Sequence, residues 1–222
     1  ELLGAYGLST SGCSLGSDYE AALVAAKQMK FPVILKGIVP DLAHKSEAGV
    51  ISGAIADERE MATAYDWIKR RVSVLTEEKP ELARVAVEAF IAHDYEVILG
   101  AKYDPTFGPV VLFGLGGIFT EVLKDYSIRI APITRSEACR MMSELKAFPV
   151  FEKAAAKGRL SLDRLLDVLL TVSRIAIDLG DWIEALDINP LALRVADGDM
   201  TVLDAKIHLR TGKMRQGVNP QG

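Results

Sequence analysis

Apolar residues recur at helical spacing in four stretches of the chain. The first is Ala-rich, follows the capping-box sequence S-D-Y-E at Ser17, and predicts a helix to about Lys30. A second helix is predicted to begin near Asp57, and its apolar stripe comprises Met61, Ala64, Tyr65, Ile68 and Val72. Thr134 is expected to cap a third helix, and Ser161 opens a longer, leucine-rich fourth helix.

Runs of β-branched and other apolar residues predict the strands. Five such runs have the sequences PVILKGIV, GVISGAIA, ARVAVEAFI, YEVILGAKY and GPVVLFGLGG. His93 and Asp94 separate the third run from the fourth and predict a tight connection. The last segment, EALDINPLALRVADGDMTVLDAKIHL, predicts two strands around an Asp-Gly-Asp turn.

The order of these elements lacks the regular βαβ alternation of a doubly wound sheet. We therefore predict an α+β fold of two lobes, with a break near residues 90 to 95. The smaller lobe would take about residues 15–90 and the larger lobe about residues 91–210. Residues 211–222 would form a polar tail that frays.

Composition and charge narrow the possible functions. A chain of 222 residues that is 50% hydrophobic can bury a real core. Its net charge of −4 gives no overall positive field that would attract nucleic acid or an anionic membrane. Any anion that the protein binds must therefore be held by hydrogen-bond donors at its own site. The sequence contains neither G-x-x-x-x-G-K-[ST] nor G-x-G-x-x-G, so the two commonest nucleotide-binding loops are absent.

The sequence also bears on location. No apolar run approaches the roughly 20 residues of a membrane span, and the start ELLGAYGL lacks the blocks of a signal peptide. The two cysteines, Cys13 and Cys139, lack metal-type spacing, so we expect a reduced, cytoplasmic setting. Because the chain begins with Glu1 and at once has a helical pattern, we expect it to be a piece of a longer polypeptide.

A stretch near the N-terminus carries polar groups that can each handle a phosphate. Lys36 ends an apolar run, and His44, Lys45 and Ser46 follow in one loop. Ammonium groups, a partly neutral imidazole and a hydroxyl together suit a phosphoryl group. The alternatives are a lysine whose stem packs while its head reaches water, and an ordinary exposed histidine.

Two acids, Glu88 and Glu96, lie within otherwise apolar runs that we expect to form adjacent strands. A carboxylate that is buried and unpaired costs several kcal/mol. The two acids should therefore face a cleft, a cation or polar ligand atoms, unless both point to solvent on a polar strand face.

A further polar cluster lies near the C-terminus. Asp187 and Asn189 alternate on one predicted strand, so both point to the same face, and Asp204 can come opposite them after the turn. Carboxylate and amide oxygens on neighbouring strands suit Mg²⁺, which takes few protein ligands and keeps waters and phosphate oxygens. The alternative is a turn built on Asn-Pro with ordinary surface acids.

Four stretches in order resemble one family: KGIVPDLAHKSEAG, EVILGAKYDPTFGPVVLFGLGGIFTEVLKD, LDINPL and VLDAK. They are similar to the ATP-grasp domain of the nucleoside-diphosphate-forming (ADP-forming) acyl-CoA synthetases, with succinyl-CoA synthetase β chains as more distant relatives. The resemblance covers roughly residues 1 to 210, and its most specific part is the stretch from Glu96 to Pro109. It implies an ATP-grasp fold in which two α+β lobes hold ATP·Mg²⁺ between them.

The resemblance also implies roles for residues on the phosphate side. Lys36 would hold phosphate oxygens, and the loop of Ala43, His44 and Lys45 would cover the phosphates. Asp187 would orient a phosphorylated histidine of a separate CoA-ligase domain, and His44 would relay the phosphoryl group to ADP. His44 and Asp187 are thus the expected catalytic residues.

Further roles follow for the nucleoside and the metal. Glu88 and the backbone of Ile91 would meet the adenine edge, and Glu96 would accept from the ribose hydroxyls. Asn189 and Asp204 would ligate Mg²⁺. The implied partners are the CoA-binding and CoA-ligase domains or α subunit of the same enzyme, which would bring CoA and a small carboxylic acid.

Three features depart from the family pattern. Val50 stands where a second glycine is common. The acid expected at Ala185 is carried one residue earlier by Glu184, and strand alternation would turn it to the opposite face. Lys157-Gly158 replaces an arginine–glycine pair, and lysine cannot make the bidentate phosphate contact of arginine.

Three functions fit these residues. The first is the phosphoryl-transfer domain or subunit of an ADP-forming acyl-CoA synthetase, inactive in acyl-CoA formation without its partner domain. The second is a non-catalytic, nucleotide-sensing ATP-grasp module fused to a protein acetyltransferase. The third is an ATP-grasp carboxylate–amine ligase, which forms an acyl phosphate directly and has no need for His44.

Overall fold

The computed structural model describes residues 1–39, 49–76, 84–116 and 124–210. Its helices are α1 (Leu2–Ala5), α2 (Tyr19–Met29), α3 (Glu58–Leu75), α4 (Arg135–Ser143), α5 (Phe148–Ala156) and α6 (Leu162–Asp178). Its strands are β1 (Cys13–Gly16), β2 (Val33–Ile38), β3 (Arg84–Ala89), β4 (Tyr95–Asp104), β5 (Gly108–Leu115), β6 (Tyr126–Ile130), β7 (Ile183–Leu193), β8 (Met200–Val202) and β9 (Ala205–Leu209).

The chain divides into two compact units. The smaller unit comprises Ser11–Ala92, and the larger unit comprises Glu1–Thr10 together with His93–Gly222. The first ten residues join the larger unit because their backbone pairs there: the Val202 N–H donates to the Ser9 carbonyl at 2.8 Å. The sequence pattern carries no signal for this long-range pairing.

The smaller unit contains an antiparallel sheet in the order β1-β3-β2, with α2 and α3 packed against it. Strand alternation puts Val33 and Leu35 into the core with Ile68 of α3, all three fully buried. Each helix begins at an aspartate. Asp18 accepts from the Ala21 N–H at 2.9 Å, and Asp57 accepts from the Glu60 N–H at 2.9 Å.

Two local predictions for this unit are wrong. The α2 N-cap is Asp18 rather than Ser17, whose hydroxyl donates to the Asp18 carboxylate instead. The run GVISGAIA is not a strand, because it pairs with β2 only at two isolated bridges that involve Ile51 and Ile55. The Ser52 hydroxyl accepts from the Leu35 N–H at 2.8 Å, so a side chain replaces a backbone acceptor and the regular ladder is interrupted.

The larger unit is built on a six-stranded antiparallel sheet in the order β6-β5-β4-β7-β8, with β9 also paired to β7. Helix α6 packs on β4 and β5, and α4 and α5 pack beside it. Phe113, Leu99 and Leu169 are fully buried in this core. A capping box at Thr134 and the Ser161 side chain start α4 and α6, as the sequence predicts.

The predicted adjacency of β3 and β4 is wrong. Strand β3 pairs with β1 and β2, whereas β4 pairs with β5 and β7 in the other sheet. The two strands are consecutive in sequence but belong to different units, so Glu88 and Glu96 do not lie on neighbouring strands. Four elements were also not predicted: β1, β6, α5 and β9, of which the last splits the expected C-terminal hairpin into three strands.

Candidate functional site

A buried ion pair lies on the sheet face of the smaller unit that faces away from its helices. The Lys36 ammonium is 2.8 Å from a carboxylate oxygen of Glu88, and the two residues are only 5% and 8% exposed. The Ser11 hydroxyl donates to the same carboxylate at 3.3 Å. Because each polar head group has a partner, the two side chains can lie buried within otherwise apolar strands.

The register of the strands explains this pairing. Lys36 lies opposite Ala86 and Glu88 lies opposite Ile34, so the two charged residues are diagonal neighbours on one face. On the other side of β3, Leu15 lies opposite Ala86 and leaves about half of its side chain exposed. This face therefore combines one polar pair with an apolar surface.

The segment after β3 carries Ile91 and is followed by a second polar pair. The Glu96 carboxylate lies 2.8 Å from a ring nitrogen of His93, and both side chains are partly exposed. The Asp94 carboxylate accepts from the Val195 N–H at 2.7 Å and fixes the segment against the end of β7. Sequence reasoning missed the contact of His93, although a His and a Glu three residues apart were a usable signal.

Gly116 has a structural reason to be glycine. Its N–H donates to the Glu96 carbonyl at 2.8 Å, and a Cβ placed on it would lie 2.8 Å from both the carbonyl carbon and the Cβ of Glu96. Any side chain at this position would displace the β4 backbone. The glycine thus allows the chain after β5 to lie directly on Glu96.

The predicted acidic cluster lies on β7 and the chain opposite it. Asp187 and Asn189 alternate with the buried Leu186 and Ile188, so both point to the sheet face opposite α6. The Asn189 N–H donates to the Asp204 carbonyl at 3.0 Å. The structure therefore brings all three of these residues together within the larger unit.

Two basic residues of β9 complete this face. Lys206 lies opposite Asp187, and His208 lies opposite Ala185. Burial raises the pKa of the Asp187 carboxyl above its ordinary value; the Lys206 charge opposes this shift, and the Asp204 carboxylate adds to it. Ionised Asp187 is thus under-compensated, a situation that a bound cation relieves.

These oxygen atoms suit a magnesium ion that is coordinated partly by the protein and partly by another bound molecule. Asn189 offers an amide oxygen and Asp204 a carboxylate from directly paired backbone segments. Within the described ranges, no group of three His, Cys, Asp or Glu side chains could hold a metal by itself. Mg²⁺ needs no such cage, because it is bound through one or two carboxylates with waters and phosphate oxygens.

Other expected site features have different outcomes. Ala43, His44 and Lys45 lie outside the described residues. Glu184 is exposed and falls in the irregular register between Ile183 and Ala185. Lys157-Gly158 ends α5: the glycine has φ +67° and its N–H donates to a carbonyl of the last turn at 2.8 Å.

Among the helices that the structure describes, none combines the length and the apolar character that crossing a membrane requires.

Comparison with known proteins gives consistent matches. A family model described as an ATP-grasp domain matches residues 1–209. The β subunit of acetate–CoA ligase [ADP-forming] II from Pyrococcus furiosus is 34% identical over 210 residues, which are 95% of this chain and 89% of that protein. Acetate–CoA ligase [ADP-forming] I from Archaeoglobus fulgidus is 34% identical over 208 residues, 94% of this chain but 30% of that longer protein.

Solved structures agree. The dinucleotide-forming acetyl-coenzyme A synthetase 1 of Ca. Korarchaeum cryptofilum, in complex with coenzyme A and Ca-AMPCP, superposes with a TM-score of 0.82 at 30% identity and covers 94% of this chain and 90% of that one. A second structure of that enzyme contains coenzyme A and Mg-AMPPCP, with its phosphohistidine segment pointing towards the nucleotide-binding site. Its TM-score is 0.74 at 28% identity, with 94% and 88% of the two chains covered.

Proposed function

Because this chain belongs to the ATP-grasp domain family, we propose that it is the nucleotide-binding, phosphoryl-transferring part of an ADP-forming acyl-CoA synthetase. The family match over residues 1–209 confirms the resemblance seen in the sequence and the predicted α+β, ATP-grasp fold. The named relatives are ligases, and the P. furiosus relative is a β subunit of nearly the same length. The single observation that supports the chemistry best is the convergence of Asp187, Asn189 and Asp204 on one sheet face.

Residues of the smaller unit would bind the nucleotide through polar atoms that are already ordered. An ammonium group has three donors, so Lys36 can keep its contact with Glu88 and still donate to a phosphate oxygen. Ala43, His44 and Lys45 would cover the phosphates. Glu88 and the backbone of Ile91 would meet the adenine edge.

Residues of the larger unit would hold the ribose and the metal. Glu96, oriented by its contact with His93, would accept from the ribose hydroxyls. Asn189 and Asp204 would hold Mg²⁺ at the phosphates. Bound there, Mg²⁺ would neutralise the charge that develops on the phosphate oxygens.

The transfer step needs positioning and charge neutralisation more than covalent chemistry by this chain. In the direction of ATP use, the bond between the γ-phosphorus and the bridging oxygen breaks, and ADP leaves with that electron pair. The γ-phosphorus would bond first to an imidazole nitrogen of His44. In the second transfer the P–N bond to His44 would break, its electron pair would return to the His44 nitrogen, and phosphorus would bond to a histidine of the partner domain. Asp187 would orient the partner's imidazole through a hydrogen bond.

A partner must supply the rest of the reaction. The P. furiosus relative is by name one subunit of its enzyme, and the A. fulgidus relative is about three times as long as the matched region. We propose a CoA-binding and CoA-ligase domain or α subunit as that partner, with a small carboxylic acid and CoA as its substrates. Cys13 and Cys139 form no disulfide, which fits a reducing, cytoplasmic location.

The test uses radiolabelled ATP. Residues 1–222 are expected to bind MgATP but to make no acyl-CoA; acyl-CoA formation by this chain alone would contradict the proposal. In the complete enzyme, γ-labelled ATP should give an acid-labile, base-stable protein label that is lost in His44→Ala. Intact binding without label would indicate a nucleotide sensor, and unchanged activity in His44→Ala would indicate a carboxylate–amine ligase.

A further inference from the structure

Three rows of residues cross from β7 to the chain opposite it, on the sheet face that carries the acidic cluster. The first row is Asn189 with Asp204, joined by a backbone hydrogen bond of 3.0 Å. The second is Asp187 with Lys206, and the third is Ala185 with His208. Successive rows are two residues apart, which is about 7 Å along a strand.

We propose that Lys206 is a phosphoryl-contacting residue that recognises the terminal phosphate of the nucleotide. This inference rests on the proposed function, because it takes the row of Asn189 and Asp204 as the metal-binding row. Lys206 lies one row away from that metal pair, on the same side as Asp187. No role for Lys206 follows from its position in the sequence alone.

The charges of the face support this assignment. Asp187 and Asp204 place two carboxylates within the first two rows, and like charge there opposes the approach of a phosphoryl group. A transferring phosphoryl group carries negative charge on its outer oxygens, so a cation must lie near it. Lys206 is the residue of the facing strand that offers an ammonium in that row.

The spacing limits which phosphate Lys206 would contact. Asn189 and Asp204 would hold the metal at the phosphates, and a lysine side chain reaches about 6 Å from its Cα. Under the proposed function Asp187 orients the imidazole that takes the terminal phosphoryl group. An ammonium in the same row, about 7 Å from the metal row, therefore lies beside that group rather than beside the part that remains in ADP. Lys206 should distinguish ATP from ADP.

A purely structural ion pair with Asp187 is the competing explanation, and it predicts a different result. Loss of Lys206 would then leave Asp187 less compensated and lower the melting temperature, without a preference between nucleotides. In that case the double variant Asp187→Asn/Lys206→Met would recover the melting temperature of the unsubstituted chain. The ratio of ATP affinity to ADP affinity would be unchanged in the single and the double variant.

The experiment is calorimetric titration of residues 1–222 with MgATP and, separately, with MgADP. In Lys206→Met we expect about 10-fold weaker MgATP binding, because a charge-assisted hydrogen bond to phosphate is lost, and less than about twofold change for MgADP. Lys206→Arg should retain the preference for ATP, and Lys206→Gln serves as a second neutral variant if the methionine variant fails to fold.

Lys102 provides a matched control. It lies on β4 opposite Ala185, in the third row and on the same sheet face, so Lys102→Met removes one ammonium without touching the second row. We expect unchanged affinity for both nucleotides in this variant. An equal loss for both nucleotides in Lys206→Met, or no loss, overturns the role of Lys206 while the proposed function stands. Absence of nucleotide binding by the unsubstituted chain overturns both.

Discussion

The two units handle their charged residues in opposite ways. In the smaller unit, Lys36 and Glu88 are buried and paired at 2.8 Å, and Ser11 donates to the same carboxylate. In the larger unit, Asp187 and Asp204 lie on one face, and burial together with their mutual repulsion raises the pKa of Asp187. In the first region each charged group has a partner within the protein. In the second, the ionised form of Asp187 is disfavoured even though Lys206 lies opposite it.

This difference indicates what each region does. A satisfied ion pair within a sheet fixes the positions of its members before any ligand arrives, which lowers the entropic cost of binding. An under-compensated acidic face costs folding free energy, and proteins keep such faces where a bound cation or substrate repays the cost. We therefore propose that the smaller unit supplies pre-ordered donors and that the larger unit supplies the site of charge neutralisation.

The largest expected effect is the loss of one member of the buried pair. Glu88→Gln removes the carboxylate charge that lies 2.8 Å from the buried Lys36 ammonium, so we expect about 3–5 kcal/mol lower free energy of unfolding. Urea unfolding followed by circular dichroism measures this. The double variant Lys36→Met/Glu88→Leu should recover most of the loss; an unfolding free energy unchanged in Glu88→Gln would show that the pair is not buried in solution.

A smaller effect is expected on metal-dependent binding. Asp204→Asn keeps the size of the side chain but removes its charge, so we expect roughly 10-fold weaker binding of MgATP with little change in stability. Titrations with and without Mg²⁺ separate the two contributions. Equal weakening in the absence of Mg²⁺ would mean that Asp204 does not act through a metal.

Ser11 should contribute modestly. Its hydroxyl donates to Glu88 at 3.3 Å, and a typical hydrogen bond contributes about 0.5–1.5 kcal/mol, so Ser11→Ala should lower the free energy of unfolding by about 1 kcal/mol or less. The measurement is again urea unfolding, with Ser143→Ala as an exposed control whose hydroxyl donates only within its own helix. A loss as large as that of Glu88→Gln would contradict a supporting role.

The smallest expected effect has the opposite sign. The pKa of Asp187 is raised in the folded state, so its ionised form is disfavoured there, and the penalty is present above the folded pKa and absent below the unfolded pKa. Asp187→Asn should therefore slightly raise the melting temperature at neutral pH, and this gain should vanish under acid conditions. Thermal unfolding at both pH values measures it; a lower melting temperature at neutral pH would contradict the under-compensated state of Asp187.

Local patterns in the sequence were sufficient for much of the fold. Apolar periodicity located α2, α3, α4 and α6, because each has a capping residue and a buried stripe that depend only on nearby positions. Alternation placed Asp187 and Asn189 on one face for the same reason. Where a side chain competed with the backbone, as at Ser52, the local pattern misled, and a predicted strand is only a pair of bridges.

By itself, the sequence determined the family and the α+β class, because motifs and periodicities are properties of neighbouring residues. Only the tertiary structure decided that Glu88 is neutralised by Lys36, that β3 and β4 belong to different sheets, and that Lys206 lies opposite Asp187. Each of these depends on strand order and register. Strand order and register are fixed by burial and by backbone hydrogen bonds between strands that lie far apart in sequence, and a local sequence pattern does not reveal such pairings.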